Sequence, residues 1–265
     1  MWTKEKIIND IHKYALERLD IYNSYLSSKI SNYATYPKIL SEIPYVIKYV
    51  KHPVEGNNIN EYLLRFNESI GASVTYIMNK HGTTIASSNY NSPTSFVGQN
   101  YSFREYFKKA IKGIPDNYIA IGATSKLPGY YISYPIKVGK EIIAVATVKY
   151  NLELFTPQDS NNKEIFIIVD NNNIIFHSTY ESYEYHTIYP LPVHTLQKIK
   201  DSKQYANKPL LPLSIIKKSQ INGLTFITIG HSYQSKIKKE YADVDYLIEN
   251  MQTENGWHVY LLVEL

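Results

Sequence analysis

Cysteine is absent from the 265-residue chain, which excludes disulfides and thiolate metal sites. No apolar run approaches the roughly 20 residues a helix needs to span a bilayer, and no secretory leader is visible. Neither sign of charge dominates: the formal net charge is +4, and lysines sit beside glutamates, as in KEK at 4–6 and KIKKE at 236–240. Such lysines read as solvated faces, so no nucleic-acid partner is expected. Catalytic groupings are also missing. The eight histidines form no HExxH pair, Ser87 and Ser88 lie in no GxSxG elbow, and no phosphate-cradling loop occurs. Tyr183-Glu184-Tyr185-His186 is a poor metal site, with one histidine and flexible acids. The segment is expected to be no enzyme and to take neither cofactor nor metal. Arginine is scarce as well: Arg18, Arg65 and Arg104 stand against 25 lysines.

Tyrosine is abundant, at 26 against 8 phenylalanines. An AT-rich coding bias accounts for much of this, and tyrosine also suits polar-lined pockets. Apolar residues at Ile8, Ile11, Ala15, Leu19, Tyr22, Leu26, Ile30 and Tyr33 form a helical stripe. It predicts one long helix over 4–33, usable either along two domains or in a coiled-coil dimer. Pro37 is expected to interrupt it, with a second helix over 38–49 that Pro44 kinks or divides, a third over 59–70, and a loop at Pro53 and 56–58. Strands are expected at 73–78, 83–88, 118–123, 130–135 and 142–150, with a short helix around Arg104. That order describes a five-stranded antiparallel sheet with a helix on one face.

A polar stretch at 151–162 reads as a linker, after which the pattern restarts. Residues 164–169, a DNNN turn and 174–178 repeat the strand, polar turn, strand and serine of 74–88 at a spacing of about 90 residues. A helix at 193–200, strands at 213–218 and 224–231, a helix at 233–249 and a final strand at 258–263 complete the expectation. Both ends read as cut, as in a piece of a longer, membrane-flanked protein, although an ordinary compact protein gives the same appearance. The domains expected are a helical part at 1–70, a ligand-binding domain at 71–155 and a second domain at 156–265.

Two cations carry the chemistry. Arg104 sits among aromatics in SFREYFKKAIKG, where a cap by Ser102 would place it in the first helical turn. Its planar fork fits a carboxylate, with Tyr101 and Tyr106 as flanks. Lys149 ends the apolar strand IIAVATVK and either snorkels out or points into a pocket between sheet and helix. Two cations facing one cavity need a partner with two negative charges, or acids of the protein itself. Hydroxyls on Thr124, Ser125 and Ser133 are candidate donors, although Thr and Ser also suit strands for other reasons.

The run GTTIASSNYNSPTSFVGQNYSFREYF at 82–107, with GYYISYP at 129–135 and VATVK at 145–149, closely resembles the extracytoplasmic sensor region of C4-dicarboxylate sensor histidine kinases of the DctB type. The likeness is specific over residues 70–150 and extends in layout over nearly the whole chain. It implies an α+β fold: a long N-terminal helix followed by two PAS-like (Cache) domains, each an antiparallel sheet with flanking helices. It implies a small dicarboxylate ligand such as succinate, malate or fumarate. By motif position Arg104, Lys149, Tyr101, Thr124 and Ser133 would hold it, with Tyr131 and Tyr134 shaping the wall. Amino-acid sensors of this fold carry an aspartate near the end of the last strand, where this chain has Lys149. Glu105 departs from the family's usual proline. The resemblance further implies a periplasmic or extracellular portion of a membrane protein, attached through flanking segments absent from this chain, dimeric at full length and coupled to a kinase. A Cache sensor for another small organic anion, the sensor of a chemoreceptor and a ligand-free structural role remain alternatives.

Overall fold

The computed structural model describes residues 2–53, 58–157, 163–234 and 239–265. Its first helix, α1 (Trp2–Glu42), runs 41 residues, about 60 Å at 1.5 Å per residue. Ala15, Leu19, Tyr22 and Leu26 form its buried stripe at helical spacing. Pro37 does not interrupt the helix. The break falls instead at Ile43, whose extended backbone (φ −69, ψ 121) is what a following proline favours, and Pro44 opens α2 (Pro44–Lys51) at a first-turn position. Leu40 and Ser41, both buried, anchor the turn beyond Pro37 and offset the hydrogen bond that proline removes. The loop expected at 56–58 falls largely outside the described residues, as does the end of the linker at 158–162. Helix α3 (Ile59–Ser69) follows.

The chain folds as two compact units. One comprises residues 29–154 with 197–207; the other comprises 1–28, 155–196 and 208–265. The first unit is built on an antiparallel sheet of β1 (Val74–Asn79), β2 (Thr84–Ser87), β3 (Asp116–Ile121), β4 (Pro128–Val138) and β5 (Glu141–Tyr150), in the order β2-β1-β5-β4-β3. Period-two alternation divides its side chains between two cores. Val74, Tyr76, Met78, Tyr131 and Val145 pack with Tyr106, Phe107 and Ala110 of α4 (Glu105–Ala110). Ile77, Ala144 and Ala146 face the other way, with Leu40, Val46, Ile59 and Leu63 of the helices.

The second unit carries six antiparallel strands in the order β7-β6-β11-β10-β9-β8. These are β6 (Glu164–Val169), β7 (Ile175–Ser178), β8 (Ile215–Ile221), β9 (Leu224–Gln234), β10 (Lys239–Gln252) and β11 (His258–Glu264). Helix α5 (Val193–Ser202) begins in this unit and ends in the first. The helix expected at 233–249 is a correction: its described residues are strand, and 235–238 lie outside the description. Val244, Tyr246 and Ile248 alternate onto the core, and β10 pairs along both edges, so cross-strand pairing overrides the helical spacing. The repeat seen in the sequence is a structural one. Tyr76 pairs with Ser87 and Ile167 with Ser178, and both hairpins shift register at the same place, after Ile77 and after Ile168. Within this unit Arg18 holds the buried Glu164 bidentately through two 3.1 Å hydrogen bonds, and Tyr14 donates to the same carboxylate.

Candidate functional site

Between α4 and the sheet of the first unit lies a small, tight cleft lined by Tyr76, Phe96, Tyr101, Arg104, Tyr106, Gly122, Ala123 and Tyr131. Arg104 is itself the residue that precedes the first turn of α4, in extended backbone (φ −76, ψ 137), and no side chain caps the helix. This corrects the expectation that Ser102 caps it with Arg104 inside the first turn. With only six residues, α4 offers a weak dipole, and the site rests on the side chains instead. Glu105 turns outward and pairs with Lys108 at 2.8 Å.

Arg104 is 3% exposed, and backbone carbonyls hold its guanidinium: Nη2 donates to Ile121 at 2.8 Å and Nη1 to Lys203 at 3.2 Å. It also lies 5.1 Å from the centre of the Phe103 ring. Lys149 is likewise 3% exposed. Its ammonium donates to Ser125 Oγ at 3.0 Å and to the Leu127 carbonyl at 3.2 Å, and sits 5.6 Å from the Tyr131 ring centre. Neither cation has an ion-pair partner among the described residues. Burial, and then the field of Arg104, pushes the Lys149 ammonium down to about 8. The two cations thus share one poorly solvated environment and raise each other's electrostatic cost.

Aromatic hydroxyls finish the cleft. Tyr101 and Thr124 share a 2.8 Å hydrogen bond, and Tyr76 and Tyr106 share another of 2.8 Å. Tyr106 stacks on Tyr131 at 5.4 Å with a 4° interplanar angle. Burial raises the phenol of Tyr131 above its ordinary range, while Arg104 draws it down. Tyr101 is raised by burial and lowered by its bond to Thr124 and by Arg104. Both phenols therefore stay protonated at neutral pH. Two glycines clear space for the cations' neighbours: a Cβ on Gly129 would lie 2.3 Å from Lys149 Cε, and one on Gly122 would lie 2.3 Å from Ser125 Oγ and 3.0 Å from the Tyr131 hydroxyl.

Of the residues singled out from sequence, Arg104, Tyr101 and Tyr131 line the cleft, and Thr124 fixes the Tyr101 hydroxyl. Lys149 reaches the Ser125–Leu127 turn beside it. Ser133 lies on the same sheet face as Tyr131, but its hydroxyl is buried and bonded to Thr147 at 2.9 Å. Tyr134 is a correction: it pairs with Ala146, which belongs to the opposite core, so the pleat turns it away from the cleft. Tyr76 and Phe96 were missed, and alternation along 74–79 was the one signal for the first. The Lys203 carbonyl had no sequence signal at all.

Comparison with known proteins places this geometry. No family model matches the chain. The sensor domain of the histidine kinase DctB of V. cholerae is similar over 99% of both chains, with 26% identity and a TM-score of 0.82. C4-dicarboxylate transport sensor proteins DctB of Pseudomonas aeruginosa and Rhizobium meliloti are 29% identical over 202 residues and 30% identical over 161 residues. These matches cover 75% and 61% of this chain but 33% and 26% of the relatives, so the chain spans about a third or less of their length. The sensory domain of the Campylobacter jejuni chemoreceptor Tlp3, solved with isoleucine bound, shares the fold: 16% identity, TM-score 0.61, over 99% of this chain and 96% of that one.

Proposed function

The chain is a Cache/PAS-like sensor domain homologous to those of DctB-type C4-dicarboxylate sensor histidine kinases, and from that premise we propose that its cleft binds a small C4-dicarboxylate. One observation carries the reading: two buried cations, Arg104 and Lys149, lack acidic partners among the described residues. A ligand with a carboxylate at each end neutralises both, whereas a monocarboxylate leaves one uncompensated. An amino acid, as bound by the Tlp3 sensory domain, needs a carboxylate for its ammonium group. The described residues lining this cleft include none. Tyr101, Tyr131 and Ser125 add neutral donors, which orient the carboxylate oxygens without adding charge.

Within the longer protein this domain faces the outside of a cytoplasmic membrane, attached through flanking segments, and its output passes to a histidine kinase in a dimer. Ligand shifts that output only through different affinities for two arrangements of the domain. Calorimetric titration of the domain with succinate, malate and fumarate, alongside acetate and L-alanine, is the test. Binding confined to the diacids is expected. Heat with L-alanine and none with any diacid overturns the reading.

A further inference from the structure

Residues 197–207 lie in sequence between β7 and β8 of the second unit, yet they belong to the first. They dock on β3, which is the edge strand of its sheet. The Ile121 amide donates to the Gln204 carbonyl at 2.9 Å, and the Gln204 side-chain amide donates to the Ile119 carbonyl at 2.9 Å. One residue thereby satisfies a free donor and a free acceptor of an open edge. Immediately before it, the Lys203 carbonyl accepts Arg104 Nη1, and the Lys203 ammonium lies 5.6 Å from the Phe103 ring that Arg104 also approaches. Lys203, Ala206 and Asn207 all hold positive φ (53°, 49° and 63°) without being glycine. Such strain persists only where surrounding contacts enforce it, and it gathers at positioning and switching elements.

We infer that this strap, with Gln204 as its pin, is a positioning element for Arg104, and that its docking and anion binding stabilise each other. The inference rests on the dicarboxylate reading of the cleft. Two carbonyls, from Ile121 and Lys203, fix one side of the guanidinium, so its remaining N–H groups meet a carboxylate without reorientation. Coupling is reciprocal: the factor by which docking improves the ligand's affinity is the factor by which ligand improves docking. Because the chain enters the strap at 196/197 and leaves it at 207/208, cleft occupancy is felt in a segment covalently continuous with the second unit on both sides.

Amide hydrogen exchange on the whole chain, with calorimetry, tests this using parent, Q204A and R104K. Without ligand, both variants should speed exchange at the Ile121 amide and in 203–207 about ten-fold, the equivalent of one lost hydrogen bond (neutral in Q204A, charge-assisted in R104K), with the β4–β5 amides unchanged. Q204A, which keeps both cations, should weaken succinate about ten-fold, and succinate should slow strap exchange in the parent. Strap exchange in R104K equal to the parent's overturns the link between arginine and strap, whatever the ligand does. Succinate binding to the parent without any change in the strap, or parent-like affinity in Q204A, overturns the coupling and leaves the dicarboxylate reading intact. No succinate binding to the parent, with the strap loosened in R104K, instead sinks that reading and leaves the positioning of Arg104 standing.

Discussion

Replacing Lys149 with methionine should make the empty domain more stable while abolishing its binding. Lys149 is buried without an acid, and its ammonium titrates at about 8 instead of the ordinary 10.5. At 1.36 kcal/mol per unit, holding it charged at pH 7 costs about 3 kcal/mol of folding stability. Methionine keeps an unbranched stem of similar reach and removes that charge, together with its repulsion from Arg104. Against the gain stand two lost hydrogen bonds, to Ser125 Oγ and the Leu127 carbonyl. Losing those two bonds takes back roughly 1–2 kcal/mol, although the Leu127 carbonyl still accepts the Gly122 amide at 2.9 Å, so K149M should exceed the parent by about 1–2 kcal/mol at pH 7.

The sign of the pH dependence follows from proton binding. With its native value below the unfolded one, Lys149 binds fewer protons in the folded state between about 8 and 10.5. Parent stability therefore gains from this group as pH rises through that window, and K149M lacks the gain. Urea unfolding at pH 7 and at pH 10 measures both quantities, and succinate calorimetry measures the loss of binding. A K149M less stable than the parent at pH 7, or an advantage that does not shrink at pH 10, refutes the picture of a buried, unpartnered ammonium.

Dicarboxylate affinity of the parent should be flat below pH 8 and fall about ten-fold per unit above it, since the uncharged amine no longer attracts the second carboxylate; calorimetry at pH 7 and 9 measures this. G129A should displace the Lys149 stem, which its new methyl would meet at 2.3 Å, and weaken succinate at least ten-fold, whereas K149M with G129A should be no worse than K149M alone. R18M strands the buried Glu164 carboxylate and should lower the second unit's stability by about 3 kcal/mol in urea, with succinate affinity unchanged because the pair lies outside the first unit.

The candidate site was legible where composition made a residue conspicuous. Arg104 stood out as one of three arginines, and Lys149 as a charge closing an apolar strand. Tyr131 was legible through the motif resemblance; the β4–β5 register opposes it to Lys149, which period-two alternation within one strand does not reach. The same rule, applied strictly, separates Tyr134 from Tyr131 because three residues is an odd step. Ser133 sits on the right face, but Thr147 answers its hydroxyl, and only the register of two distant strands reveals that. The strap was invisible because its contacts use backbone carbonyls, which every residue carries. Strand β10 escaped because isoleucine, leucine and tyrosine serve helix and strand alike until neighbours on both edges decide between them.

The repeat shows why one unit carries a candidate site and its counterpart a closed core. Hairpins β1–β2 and β6–β7 share register and bulge, so Val74 corresponds to Ile165. Lys149 opposes Val74, and Leu262 opposes Ile165; Tyr131 opposes Lys149, and Ile248 opposes Leu262. The positions that hold the ammonium and its aromatic wall in the first unit thus hold leucine and isoleucine in the second, packed with Ile167, Val169 and Tyr246. No arginine follows Arg104 in the sequence, so the segment between β7 and β8 supplies no guanidinium. Burying Leu262 stabilises the second sheet by about 2 kcal/mol, whereas the buried charge of Lys149 at the matching place costs the first about 3 kcal/mol. Sequence divergence at two paired positions therefore leaves a buried, unpaired charge in one copy of the fold and an apolar core in the other, which is the difference the proposed ligand site rests on.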